Sequence, residues 1–188
     1  MLTTANLITV FRIALVPAFS AAFLYMAENP ILRWVVFCLF TLAAVLDAVD
    51  GFVARAFRQK SAVGAFLDPL ADKLLVTMVY LLGVPYGIPL YVTVAVISRD
   101  VLIVLGWALL HYFGRDAGIR PLWISKVNTA CQFITAGLFL LDIALYYVVS
   151  VPDVILRVAF LTTLVTTVVS GAACFVEWYK RMGGFTRV

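Results

Sequence analysis

The chain is 188 residues long, with 64% of its positions apolar and 13% charged, and its mean hydropathy is +1.07. Soluble domains run at roughly 45–50% apolar and about 25% charged. This sequence therefore has too few polar groups to cover a water-facing surface, which excludes a soluble globule and a disordered chain. The net charge of +4 in so apolar a chain belongs to membrane topology rather than to nucleic-acid binding. Each spanning helix takes about 20 residues, so the prediction is an all-α integral membrane protein: one membrane domain over residues 1–188 with six transmembrane helices.

The first segment is predicted from Thr9 to Ala27 and is closed by Glu28-Asn29-Pro30. Residues 13–27 behind Arg12 would pass for a signal-peptide core, but five further apolar segments follow, so a first span is expected. The second runs from Ile31 to Phe57 and is free of acids until Asp47. Arg58-Gln59-Lys60-Ser61 connects it to a third segment, Ala62 to Leu82. The Gly83-to-Pro89 cluster, rich in Gly and Pro, breaks the helix there. The fourth segment spans Leu90 to Tyr112, the fifth Leu122 to Val148 and the sixth Pro152 to Tyr179. Cys38, Cys131 and Cys174 are odd in number, far apart and set in apolar runs, and are expected as core thiols without a metal or disulfide.

Basic residues orient the bundle. Arg58, Lys60, Arg115, Arg120, Lys180, Arg181 and Arg187 fall in the connections after segments two and four and in the C-terminal tail, whereas the opposite connections hold Arg33 and Arg157. Both termini are therefore expected in the cytoplasm. Segment two would end, and segment three begin, at the cytoplasmic side. The opening residues lack the Arg-rich character of a transit peptide, which places the expected location in a bacterial inner membrane.

Ionisable groups within a span cost about 2.5–3.5 kcal/mol each on insertion scales and point to function. Here they cluster. Asp47 and Asp50 are three apart near the end of segment two; Asp68 and Asp72 are four apart near the start of segment three. Each pair shares one helical face, and the short connection makes the two segments antiparallel neighbours. Four carboxylates that close repel strongly in a low dielectric, so either some are protonated or a cation lies between them. Oxygen-only ligands favour Mg²⁺, Mn²⁺ or Ca²⁺. The lone histidine, His111, falls far from the acids, at the end of segment four. Two divalent ions would balance four carboxylates, as in phosphoryl-transfer sites. A salt-bridge network with Arg55, Lys73 and Arg99 is the competing explanation, disfavoured because buried ion pairs seldom repay their desolvation.

Gly51 and Ala54 follow the first pair, and Gly64 precedes Asp68 by one turn. Residues this small leave room for a large substrate, or else serve close helix packing. Pro69 cannot donate to the carbonyl of Ala65, which implies a kink or a polar cavity at that depth.

Together these residues read D-x-x-D-G-x-x-A-R-x8-G-x-x-x-D-x-x-x-D from Asp47 to Asp72, with Asp50, Gly51, Ala54, Arg55, Gly64 and Asp68 at the fixed positions between. This resembles the signature of the CDP-alcohol phosphatidyltransferases, and the six-helix layout is similar across the whole chain. The resemblance implies a membrane enzyme that displaces CMP from a CDP-linked donor, CDP-diacylglycerol, using an alcohol nucleophile and two divalent cations, Mg²⁺ or Mn²⁺. It implies Asp47, Asp50 and Asp68 as metal ligands. Asp72 would be the general base, with a share in metal binding. CDP would be held by Asp47, Gly51, Ala54, Arg55 and Gly64, and by Asn6 ahead of segment one. Homodimers are implied by the same analogy.

For the acceptor, Arg99, where Ser98-Arg99-Asp100 interrupts the apolar fourth segment, and Lys126, near the entrance of the fifth, are the candidate holders of its phosphate. Salt bridging of Arg99 to the acids and snorkelling of Lys126 are the alternatives. Arg99 and Asp100 are neighbours on one helix, where adjacent charges do not face each other, so separate partners are expected for them. Ile97-Ser98-Arg99-Asp100-Val101 and Ile124-Ser125-Lys126-Val127-Asn128-Thr129-Ala130 look like the CMP-forming cardiolipin synthase branch. The phosphatidylglycerophosphate synthase branch resembles this chain less: it usually reads Arg-Glu for Arg99-Asp100, and carries a second lysine where Asn128 stands. Phosphatidylglycerol, with one negative charge, is the expected acceptor, and glycerol-3-phosphate the alternative. A divalent-cation channel would also use an acidic ring, but leaves the spacing of Gly51, Ala54, Arg55 and Gly64 unexplained. An intramembrane prenyltransferase would need two acidic motifs in separate halves of a longer chain.

Overall fold

Apolar runs of this length can satisfy their backbone polar groups away from water through the internal hydrogen bonds of a helix. The computed structural model describes residues 4–57, 73–112, 123–146 and 151–183, and side chains at 14–46, 73–106, 123–146 and 151–179. All regular structure among the described residues is helical. Helix α1 is Thr4–Tyr25 and α2 is Pro30–Phe57; the described part of α3 is Lys73–Leu82. A 3₁₀ turn, Val84–Tyr86, leads to α4, Leu90–Tyr112, followed by α5, Trp123–Leu145, and α6, Asp153–Gly183.

These bounds follow the predicted segments closely, with three shifts. Helix α1 starts at Thr4 rather than Thr9, so Asn6 lies in its first turn and not ahead of it. Helix α5 stops at Leu145, and α6 runs on past Tyr179 to Gly183. Asn29, expected only to close the first segment, also starts the second: its Oδ1 accepts from the Ile31 N–H at 3.0 Å, an N-cap with Pro30 at the first helical position. After α3, the chain turns at Gly87, whose φ of +122° lies in a region that suits glycine.

The helices group into two compact units: Met1–Gly87 with Ala136–Pro152, and Ile88–Thr135 with Asp153–Val188. Helix α5 contributes its second half to the former and its first half to the latter. In the first unit α1 packs on α2. Its core is apolar, with Phe19, Phe23 and Met26 of α1, Val36 and Phe40 of α2, Val79 and Tyr80 of α3, and Phe139 and Leu140 of α5 all buried. Gly137 gives Phe40 its room, since a β-carbon there would stand 3.7 Å from the ring. At the turns, Arg33 Nε donates to the Met26 carbonyl at 3.5 Å while its guanidinium lies 5.1 Å from the Tyr146 ring centroid. Asp142 Oδ1 accepts from the Val151 N–H at 2.8 Å.

The second unit, in which α4 packs on α6, buries Val92, Val96 and Phe160 together with a polar set. Thr93, Arg99, Asn128, Gln132, Thr135, Thr163, Thr167 and Ser170 are buried, while Val101, Leu102, Leu105, Leu161, Val165 and Val168 are exposed. In water that arrangement would be unstable; in hydrocarbon it is the favourable one, since polar groups then find partners only between helices. Trp123–Leu145 and Asp153–Tyr179 are long and apolar enough to cross a membrane. The cysteines are free, but the expectation of core thiols fails for Cys38, which is exposed; Cys131 and Cys174 are half-buried. An apolar run in such a chain has an outward face as well as an inward one, and Cys38 is on the former.

Candidate functional site

The acidic motif enters the fold on α2. That helix is unbroken from Pro30 to Phe57, so Asp47 and Asp50 are three apart on one continuous helix and share a face. Gly51, Ala54 and Arg55 follow on the last turns of the same helix. An all-oxygen donor pair of this kind suits a hard divalent cation. Gly64, Asp68 and Asp72 lie outside the described residues, as does Pro69. Lys73, the first residue of the described α3, is half-buried.

The acceptor-side residues are described in full. Arg99 of α4 is buried, with a relative exposure of 3%, and its guanidinium is held from three directions. Nη1 donates to Asp100 Oδ1 at 2.7 Å, and Nη2 donates to Ser125 Oγ of α5 and, at 2.9 Å, to Ser170 Oγ of α6. Its stem passes Gly171, where a β-carbon would come to 3.7 Å from Arg99 Cγ. The expectation that Arg99 and Asp100 take separate partners is thus corrected: they pair with each other. Adjacent Cα–Cβ bonds do diverge on a helix, but the arginine side chain is long enough to bend its head back to the neighbouring carboxylate. Lys126 is exposed. It is one residue on from Ser125, and consecutive helical positions point in different directions, so Arg99 faces inward and Lys126 outward.

From Ser125 a polar seam continues along α5. Asn128 Oδ1 accepts from Thr166 Oγ1 at 3.0 Å and from Thr167 Oγ1 at 2.8 Å. Gln132 Nε2 donates to Thr167 Oγ1 at 3.4 Å. Thr135 Oγ1 and Thr163 Oγ1 share a hydrogen bond of 2.8 Å. As the α5 numbers rise the α6 numbers fall, which is an antiparallel register carried by hydrogen bonds. Sequence reasoning missed this seam. Its signal was present: Ser125, Asn128, Gln132 and Thr135 recur at three- and four-residue steps, the spacing of one helix face, within an otherwise apolar segment.

The acid-bearing helix thus belongs to the first unit, and the buried polar cluster around the Arg99–Asp100 pair to the second. Comparison with known proteins then gives the family. Residues 2–171 match the family model of the CDP-alcohol phosphatidyltransferases, and the chain belongs to that family of transferases of phospholipid biosynthesis. The CDP-diacylglycerol–glycerol-3-phosphate 3-phosphatidyltransferase of Salmonella paratyphi A is 35% identical over 133 residues, covering 69% of this chain and 71% of that protein. Its namesake from Shigella flexneri serotype 5b is 33% identical over 159 residues, covering 78% and 86%. The CMP-forming cardiolipin synthase of Rattus norvegicus is 37% identical over 150 residues, covering 70% of this chain and 48% of that protein.

Proposed function

We propose that this chain spans the membrane six times with both termini in the cytoplasm, and transfers the phosphatidyl group of CDP-diacylglycerol to phosphatidylglycerol, releasing CMP and forming cardiolipin. Family membership and the eight fixed positions from Asp47 to Asp72 support the transfer. Asp47, Asp50, Asp68 and Asp72 would hold two divalent cations, Mg²⁺ or Mn²⁺, which when bound neutralise the diphosphate and make CMP a competent leaving group. Asn6, Gly51, Ala54, Arg55 and Gly64, with Asp47, would bind the cytidine diphosphate. Asp72 takes the proton of the acceptor hydroxyl as the oxygen attacks phosphorus. Arg99 would hold the acceptor's phosphate from within its serine and aspartate cradle, and Lys126, which faces outward, would draw the anionic acceptor in at the exposed approach. The protein would sit in a bacterial inner membrane as a homodimer, with its chemistry at the cytoplasmic face.

The observation that carries the acceptor is charge. Arg99 is already paired with Asp100, and the next turn of α5 offers the neutral Asn128, so the buried cluster has little positive charge to spare. A phosphodiester monoanion suits it better than a phosphate dianion. Glycerol-3-phosphate is the second reading, favoured by the Salmonella and Shigella relatives that carry that acceptor in their names. The test is CMP release from detergent-solubilised protein given Mg²⁺ or Mn²⁺, CDP-diacylglycerol and either alcohol. Phosphatidylglycerol is expected to support release severalfold faster. A preference for glycerol-3-phosphate overturns the acceptor assignment. No release with either alcohol would overturn the transferase reading in favour of a cation channel.

A further inference from the structure

Among the described residues of the second unit, three side-chain nitrogens are buried without a hydrogen-bond partner, Nε of Arg99, Nδ2 of Asn128 and Nε1 of Trp178, and the first two belong to one polar cluster. Both side chains are enclosed, Asn128 with a relative exposure of 0%. Buried donors are nearly always matched by protein, ordered water or ligand, so two in one cluster call for an explanation. They also belong to adjacent layers. Ser125, which receives Arg99 Nη2, precedes Asn128 by three residues, about 4.5 Å along the helix axis at 1.5 Å per residue.

The amide is oriented by its neighbours. Thr167 Oγ1 receives the Gln132 Nε2 proton, so its own single proton goes to Asn128 Oδ1. Thr166 Oγ1 lies 3.0 Å from the same oxygen, but shares its one proton with the carbonyls of Thr162 and Thr163 at 2.9 and 3.1 Å. The carbonyl end of Asn128 is therefore committed to α6, and the NH₂ end is left over. A seam that served helix packing alone would not need a side chain with a surplus donor at this position; a serine or threonine would complete it.

The geometry points to Asn128 as a specificity-determining residue that donates, through Nδ2, to an oxygen of the acceptor headgroup, next to the oxygen that takes the Arg99 Nε proton. This rests on the transferase reading above and deepens it. Two unpaired donors select a group rich in acceptor oxygens, a phosphodiester with its glycerol hydroxyls, over an ammonium-bearing headgroup. One of the donors is neutral, which holds the layer's charge to that of the Arg99–Asp100 pair. Thr167 and Gln132 are positioning residues that keep the amide turned the right way.

The experiment compares wild-type protein with Asn128→Ala, Asn128→Asp, Asn128→Thr and Asn128→Lys in mixed micelles, following CMP release with phosphatidylglycerol or glycerol-3-phosphate and thermal unfolding in the same detergent. Asn128→Ala is expected to raise the KM for phosphatidylglycerol about tenfold to a hundredfold, the worth of one hydrogen bond to a charged group, with the KM for CDP-diacylglycerol unchanged. Asn128→Asp keeps an oxygen for both threonines but replaces the donor with an anion, so it should bind the acceptor worse than Asn128→Ala. Asn128→Thr retains one hydroxyl donor and should recover part of the loss. Asn128→Lys should shift the preference towards glycerol-3-phosphate. Thr163→Val, which cuts the seam two turns away, should lower thermal stability and leave the acceptor KM alone. An unchanged acceptor KM in Asn128→Ala, or equal losses in the Ala, Asp and Thr variants that track their melting temperatures, overturns the assignment and leaves the transferase reading standing. Wild-type protein that releases no CMP with any glycerol alcohol overturns both.

Discussion

Replacing Asp72 by asparagine should reduce CMP release by about 10²–10⁴-fold, the range that a positioned general base contributes. The substitution preserves shape and hydrogen-bonding atoms and removes the capacity to accept a proton. Its effect should therefore fall on turnover rather than on CDP-diacylglycerol binding. In the proposed site Asp72 would also share in holding the cations, so the variant is to be assayed across a range of Mn²⁺ concentrations. Restoration by excess metal would mark Asp72 as a ligand only. Loss at saturating metal, with an unaltered circular-dichroism spectrum and melting temperature, is the result expected of a base. Full activity in the variant excludes Asp72 from that role.

Stripping divalent cations should have an effect as large. Two unit charges 4 Å apart interact with about 4 kcal/mol at an effective dielectric constant of 20, so four carboxylates gathered as in the proposed site would resist the approach of a diphosphate. Treatment with EDTA is expected to abolish CMP release and addition of Mg²⁺ or Mn²⁺ to restore it. Asp50→Asn should raise the metal concentration needed for half-maximal activity. Crystals soaked in Mn²⁺ provide a readout independent of turnover. An anomalous peak is expected between the second and third helices, and its absence, with activity that survives EDTA, would remove the metal-based account of the motif.

The helices were legible because their signal is redundant. In α4, Leu90 to Tyr112 reads as one apolar run interrupted at Ser98-Arg99-Asp100, and both of its ends are marked by Pro or Gly nearby. The acidic motif was legible for a different reason: charge inside such a run is conspicuous, and its spacing is long and particular. The seam of α5 and α6 was overlooked because Thr, Ser, Asn and Gln perturb an apolar run only slightly and read as tolerated interruptions. What makes them a unit is pairing with a second helix, as Thr135 does with Thr163, and that partner is distant in sequence. The Arg99–Asp100 pair was misjudged for a related reason. A rule about the directions of Cα–Cβ bonds was applied to a side chain long enough to escape it. Asn6 was placed outside α1 because Thr4, Ala5 and Asn6 precede its apolar run, yet the helix already includes them.

The contrast between an apolar first unit and a hydrogen-bonded second unit implies unequal sensitivity to the surrounding solvent. Water is kept out from among side chains such as Phe19, Phe23 and Val36, since wetting apolar surface is unfavourable and they offer it no hydrogen bond. Hydroxyl and amide pairs such as Thr163–Thr135 have a ready competitor in every water molecule that enters. Short-chain, loosely packed micelles should accordingly loosen Ile88–Thr135 and Asp153–Val188 before the rest of the fold, seen as earlier amide deuteration along α6 than along α1, whereas a bilayer or nanodisc should bring the two rates together.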